Sequence, residues 1–419
     1  MSAETLAQAK KLLSQQAVRE AEELLVQIIA QPANEQTAEA NGLLGAISFQ
    51  AKDFLKAADY FQRVTELQPE AHRLFFDQAY AAEMGGDHPR ALAAYREACK
   101  LAPAQGRYYL YFGCALHAAD RHNDALMVWS AGSDVDPMLR QAQFHPKADA
   151  DLKQRSALAD RSLTKHLSQL HRQSVPDNLS RVAEAVWVQT HDAPFSYKNE
   201  RQQPTMFYMP ELPAHAIVER KMLKWAAALE ATTDAIRAEY LASASPDLGA
   251  PYIPAAKMHG AQWDKLRGST DWQAIHLYKD GKKQPEAAGF PATLKALETV
   301  PTVMLDGAPL EVFFSVLSAN THIPPHYGLA NSRLTVHLPL IVPDACHLRV
   351  GDQTHDWAEG EVVAFDDSFE HEARNGSDQP RAVLIFEAWM PELNDEERVA
   401  IEKSFAARDA WYKARQLPL

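Results

Sequence analysis

Cysteine is scarce. The 419 residues hold three, Cys99, Cys114 and Cys346, with no CxxC spacing among them. That excludes a disulfide-stapled scaffold and a thiolate metal site, and it fits a reducing compartment. Basic charge is also in deficit: 42 Lys and Arg stand against 55 Asp and Glu, a net charge of −13. No basic stripe offers itself to a phosphate backbone, so nucleic acid is not an expected partner. No run of about 18 apolar residues occurs, so no membrane-spanning helix is expected. The opening MSAETLAQAKK has no basic stretch leading into an apolar one, as a signal peptide would. A cytoplasmic protein is the expectation, and Asn375-Gly376-Ser377 then reads as a turn rather than a glycosylation site. What is present in ordinary amounts, 46% apolar and 23% charged residues, describes a globular chain of more than one domain.

The first third repeats itself. Ala57, Ala91 and Ala125 stand 34 residues apart, as do Phe61, Tyr95 and Trp129, and Pro69, Pro103 and Pro137. Gly45 and Gly113 mark one phase two periods apart, with Ala79 between them. Small residues let two helices approach, an aromatic fills the gap beside them, and proline stops the second helix. Four columns in register resemble tetratricopeptide repeats. An ordinary helical bundle needs no such period. The segment VREAEELLVQIIAQP resembles a further copy, slipped by about two residues. Helical spacing of Leu152, Leu158, Leu163, Leu167 and Leu170 predicts a capping helix over about 148–173, and RQSVPDN marks a boundary. The expected division is a repeat array over 1–145, a cap and linker over 146–180, and a second domain over 181–419.

From residue 310 onward short strands alternate with turns: LEVFFSVLS, SRLTVHLPLIV, CHLRVGD, EVVAFDD, HEARN and RAVLIFEAW. A sandwich, jelly roll or small barrel is expected. Alternation puts Leu334, Val336, Leu338 and Leu340 on one face, and Arg333, Thr335 and His337 on the other. Strand parity alone leaves open whether that polar face meets solvent or an enclosed ligand. Pro324 and Pro325 exclude a helix between His322 and His326, so these two cannot act as a helical metal pair. His371 lies 45 residues beyond His326 on another strand, and Arg381 opens an otherwise apolar strand ten residues later. A lone buried guanidinium needs an anion. Two distant histidines with such an arginine point to a non-haem iron site holding an oxoacid.

The stretches THIPPHYGLANSRLTVHLPLIVP, GEVVAFDDSFEHEARN and RAVLIFEAWMPEL resemble the aspartyl/asparaginyl β-hydroxylases, iron(II)- and 2-oxoglutarate-dependent oxygenases. The resemblance extends more weakly back to about residue 180. It implies an α + β chain, a helical tetricopeptide-type solenoid followed by a double-stranded β-helix (jelly-roll) oxygenase domain with flanking helices. It also implies that His326 and His371 bind iron, and that Arg381, helped by Ser315, takes the distal carboxylate of 2-oxoglutarate. His337 would touch the cofactor near the metal. Most such oxygenases carry a carboxylate two residues after the first histidine; here that residue is Gly328, an absence the family shares. Thr335 stands where vertebrate-type members have a second cofactor-binding arginine, so either the hold on the oxoacid is expected to be weaker or Arg333, on the same face, takes that role.

His322 is expected to be structural. Asp366 and Asp367 are expected to cap the turn before the second histidine, and Glu370 and Glu372 to point away from it. The function implied is hydroxylation of a side chain, an Asp or Asn β-carbon in a peptide or protein, with O2 consumed and succinate and CO2 released. The repeat groove is expected to hold the substrate. The alternatives are a repeat scaffold with a relic barrel, or a hydroxylase of a lipid acyl chain or small molecule.

Overall fold

A computed structural model describes residues 2–243, 249–255, 260–305 and 307–419. The chain forms two compact units: Met1–His166 with Lys413–Leu419, and Leu167–Tyr412.

The first unit is built from antiparallel helix pairs: α1 Ser2–Ser14, α2 Val18–Ile29, α3 Glu35–Gln50, α4 Phe54–Leu67, α5 His72–Met84, α6 His88–Leu101, α7 Gly106–Ala118 and α8 His122–Val135. The 34-residue columns are its interhelical contacts. Ala57, Ala91 and Ala125 are fully buried, and Tyr95 and Trp129 are buried with them. A Cβ on Gly45 would lie 2.7 Å from the Phe61 ring, and one on Gly113 would lie 2.4 Å from Trp129 Nε1. Glycine is there because the facing aromatic leaves no room. Each periodic proline falls two residues beyond the end of α4, α6 or α8. Helix α9, Ala150–Ser174, follows. In its first half Arg155 pairs with Glu83 at 2.9 Å and lies 4.3 Å over the Tyr111 ring.

The second unit is β-rich and antiparallel. Its main strands are β1 Trp272–Lys279, β2 Val312–Leu317, β3 His322–His326, β4 Arg333–Ile341, β5 Cys346–Val350, β6 Gln353–Asp356, β7 Val363–Phe365, β8 His371–Asn375 and β9 Arg381–Trp389. The larger sheet has the order β7-β4-β9-β2-β1, extended at its β1 edge by short strands. The smaller sheet has the order β6-β5-β8-β3. From β2 to β9 the chain passes repeatedly between the two sheets. Leu334, Val336, Leu338 and Leu340 join Phe314, Leu384 and Phe386 in the core on the outer face of the larger sheet. A second cluster fills the space between the sheets, with Trp272, Leu317 and Phe365 from one, and Ile323, Leu348 and Val350 from the other. The opposite face of β4, with Thr335 and His337, is therefore turned inward, where a polar side chain needs a partner.

Candidate active site between the two sheets

His326 ends β3 and His371 begins β8, and the ladder sets them directly opposite each other. Their ring centroids are 4.0 Å apart. His326 Nδ1 lies 2.8 Å from the Pro324 carbonyl oxygen, and His371 Nδ1 lies 3.0 Å from that of Phe369. An Nδ1–H donating to a carbonyl fixes both tautomers and leaves each Nε2 with a free lone pair. Burial holds both imidazoles neutral: His326 is lowered to about 3, with His371 adding to the effect, and His371 to about 4. Two neutral, oriented imidazoles are what a divalent metal requires. Among the described residues no group of three or more His, Cys, Asp or Glu side chains gathers in a metal-holding cluster. The protein donors for a metal here are the two histidines. Pro324 and Pro325 are tolerated because β3 is an edge strand.

Gly328 completes this end. A Cβ on it would lie 2.1 Å from Asp367 Cγ. The volume that a carboxylate two residues after His326 would use is thus taken by Asp367. Its Oδ2 accepts from Thr335 Oγ1 at 3.1 Å, and its Oδ1 is buried without a partner. Asp366 does what was expected of both aspartates: it accepts from the Ser368 backbone N–H at 3.0 Å and caps the turn. Asp367 does not cap; its carboxylate lines the cavity with the histidines.

Arg381 lies in the same cavity of about 150 Å³, with Ser315 and His337. It is 1% exposed, and no carboxylate among the described residues pairs with it. Its guanidinium sits 4.6 Å over the Trp357 ring, and Nη1 is 3.4 Å from both Ser315 oxygens. Nε has no partner, and neither has His337 Nδ1. Burial pulls Arg381 down to about 10. A charge left in this state asks for an anion. The geometry therefore fits an oxoacid carboxylate on Arg381 beside a metal on the histidines.

Arg333 departs from expectation. Its Nη1 lies 3.1 Å from Glu387 Oε2, and it borders an adjoining apolar cavity of about 490 Å³ instead. Glu387 projects from the neighbouring strand β9 opposite Thr335, so the nearest buried carboxylate takes the guanidinium. His322 is half-exposed and paired with Glu372 at 2.6 Å, outside the cavity. Glu370 and Glu372 both pair with Arg349. The cavity groups Tyr252, Glu311 and Glu387, and Trp357 against Arg381, were not singled out from sequence. Glu311 and Glu387 were legible by parity, since 311, 313 and 315 share a face, as do 381, 385 and 387.

Residues 230–391 match the family model described as Aspartyl/Asparaginyl beta-hydroxylase, and residues 6–68 and 53–106 match that of the Tetratricopeptide repeat. The chain is 36% identical over 139 residues to the human Aspartyl/asparaginyl beta-hydroxylase, covering 32% of this chain and 18% of that protein. It is 33% identical over 220 residues to the human Aspartate beta-hydroxylase domain-containing protein 2, covering 50% of this chain and 58% of that one. The chain thus spans less than two thirds of the length of either relative. The solved structure of MamA matches over 32% of this chain and 78% of its own, at 20% identity and a TM-score of 0.30, too low to carry weight. Both resemblances read from the motifs recur in these comparisons, the hydroxylase model matching after the tetratricopeptide one.

Proposed function

We propose that this protein is an iron(II)- and 2-oxoglutarate-dependent dioxygenase, on a double-stranded β-helix, that hydroxylates a side chain of a peptide or protein. One observation carries the reading. Arg381, fully buried and without an anion, opens into the cavity where two Nδ1-pinned histidines present their Nε2 atoms. His326 and His371 would hold the iron, and Arg381 with Ser315 the far carboxylate of 2-oxoglutarate. Oxidative decarboxylation of that cosubstrate to succinate and CO2 supplies the power to hydroxylate a C–H bond.

The chain's own work is positioning. Trp272 Nε1 donates to Ser315 Oγ at 3.1 Å and so aims the hydroxyl at the arginine. The Trp357 ring, 4.6 Å from the guanidinium carbon, covers one side of it. His337, held neutral by burial and by Arg381, offers a hydrogen bond beside the metal position without adding charge. Asp367 sets a carboxylate over Gly328, next to the histidines. The repeats are an interaction module and would bind the protein that bears the substrate residue. No helix among the described residues is long and apolar enough to cross a membrane. The same reading places the enzyme in the cytoplasm.

The test uses purified full-length protein. Added iron(II) should be retained, 2-oxoglutarate should quench tryptophan fluorescence through Trp357, and succinate should accumulate slowly without further substrate. Protein that retains neither iron nor 2-oxoglutarate would be a repeat scaffold with an inert barrel.

A further inference from the structure

The cavity is polarised along its length. Arg381 stands at one end of β9 and Glu387 six residues on, a separation of about 20 Å of strand. At the Glu387 end the lining includes Glu311, Asp367, Tyr252, Phe313 and Thr335. Three carboxylates therefore share one end of a closed space. Their proximity shows in Tyr252, whose hydroxyl is pushed up by burial and by the charges of Glu311, Glu387 and Asp367 together.

The charges at this end do not balance. Arg333 pairs with Glu387, and Thr335 donates to Asp367, which is turned to the histidines. Glu311 has no hydrogen bond or ion pair among the described residues. Burial and the Glu387 charge raise it to about 7, with Asp280 adding and Lys279 and Arg333 opposing. Asp367 Oδ1 is buried without a partner and Glu311 beside it is partly buried and unpaired, and carboxylates in that state are costly unless a cation arrives. The walls suit one. The Tyr252, Phe313 and Trp272 rings, Tyr252 stacked on Trp272 at 4.0 Å and 5.4 Å from Phe313, form an aromatic wall of the cavity that Glu311 lines. Aromatic faces with a carboxylate are a receptor for an organic cation.

We infer that the side chain this site takes is cationic, a guanidinium or ammonium as on Arg or Lys, with Glu311 as the residue that selects it. The inference rests on the proposed hydroxylase reading. It departs from the Asp or Asn side chain that the family resemblance implied. An acidic side chain entering here would meet Glu311 and Asp367 with no free cation, because the guanidinium of Arg333 is taken by Glu387. A basic one would neutralise Glu311 and place its methylenes toward the histidines.

Two measurements test this. Nα-acetyl-arginine, -lysine, -aspartate and -leucine methylamides are titrated by calorimetry into metal-free full-length protein carrying Arg381→Leu, so that an acidic compound finds no unpaired guanidinium at the far end of the cavity. The basic pair should bind about tenfold or more tightly than the others, the size of one charge-assisted contact. A peptide series identical but for one central Arg, Lys, Asp, Asn or Leu is then incubated with iron(II)-loaded enzyme, 2-oxoglutarate and O2. Oxygen insertion, read as a 16 Da mass gain, should couple to succinate for the basic peptides, and Glu311→Gln should lower their affinity about tenfold. Preference for the Asp or Asn compounds in either assay overturns the inference, as does a Glu311→Gln variant with unchanged preference. The wild-type order alone decides if that variant fails to fold. Because the methylamide titration needs no metal or cosubstrate, its outcome is separate from failure of the oxygenase reading, which shows as absent iron and 2-oxoglutarate binding.

Discussion

The helical and β-rich units handle buried polar groups in opposite ways. In the repeats Thr65 bonds Gln78 at 3.0 Å, Tyr95 bonds Glu83 at 2.6 Å, and Trp129 donates to the Leu110 carbonyl at 3.1 Å. Each answers a neighbouring helix. In the β-rich unit the buried atoms left without hydrogen-bond partners among the described residues include Arg381 Nε, His337 Nδ1, Asp367 Oδ1, Trp357 Nε1 and Arg333 Nε. These sit in or beside one cavity. An unmet buried polar group costs about 1 to 3 kcal/mol, so a cluster of them marks where a ligand restores the balance. The helical unit leaves a scattered atom such as Asn41 Oδ1, whereas the β-rich unit gathers several around one cavity that a ligand would complete.

The largest effect should come from the histidines. His326→Ala or His371→Ala is expected to reduce iron in dialysed protein to background and to cut succinate formation more than about a hundredfold, beyond the usual loss for outer-shell changes. His322→Ala, four residues away but ion-paired at the surface, should leave iron in place and cost at most about 1 kcal/mol of stability. Equal loss from all three would erase the distinction between site and scaffold.

Next is Arg381. Arg381→Leu should weaken 2-oxoglutarate binding by about 2 to 5 kcal/mol by calorimetry, while iron is retained. The cofactor-free variant should melt higher than wild type, because a buried unpaired charge has been removed. A partly buried but paired arginine in the helical unit behaves oppositely. Arg155 is held by Glu83 and Asp151, so Arg155→Leu strands two carboxylates and should lower the melting temperature.

Much of this contrast was legible in residue patterns. Four columns at 34 residues state the repeat directly, because each copy packs on its neighbours in the same way. Parity along β4 put Arg333, Thr335 and His337 on one face, and the apolar run after Arg381 marked it as a buried cation. What sequence could not supply was direction at a strand end. Asp366 and Asp367 look alike in FDDSFEH, yet one caps a turn and the other fills the space above Gly328. Arg333 has the parity of Thr335 and His337, but the register of β4 with β9 brings it to Glu387, a pairing across strands that no local spacing encodes.

Acidity should separate the units as well. His171 is 4% exposed, hydrogen-bonded to Ser404 Oγ at 2.6 Å and to the Val182 carbonyl at 3.0 Å, and lowered to about 4 by burial. Its pKa in the unfolded chain is about 6.5. The neutral form is the one the fold holds, so its contribution is complete above pH 6.5. It is lost as pH falls toward 4, where the unfolded chain binds a proton that the folded chain refuses; the loss is about 3 kcal/mol. His276 adds to it in the same unit and direction. Urea titrations between pH 7 and 4 should show the β-rich unit losing stability first, and His171→Gln should flatten that slope.

The smallest effect concerns two glycines one helical turn apart on α3. A Cβ on Gly45 would lie 2.7 Å from the Phe61 ring, whereas one on Gly42 has nothing within 4 Å. Gly42→Ala should therefore stabilise the helical unit by about 0.5 to 1 kcal/mol, through helix propensity and a less disordered unfolded chain. Gly45→Ala gains the same propensity but must push α4 or its phenylalanine aside, which costs about 1 to 3 kcal/mol. Its net effect should be a loss of about 1 kcal/mol. Thermal melts followed by circular dichroism would read opposite signs from one chemical change, and neither should alter iron or 2-oxoglutarate binding. If both stabilised, the 34-residue glycine column would be incidental to packing. The helical unit would then be governed by helix propensity rather than by the close approach that sets its period.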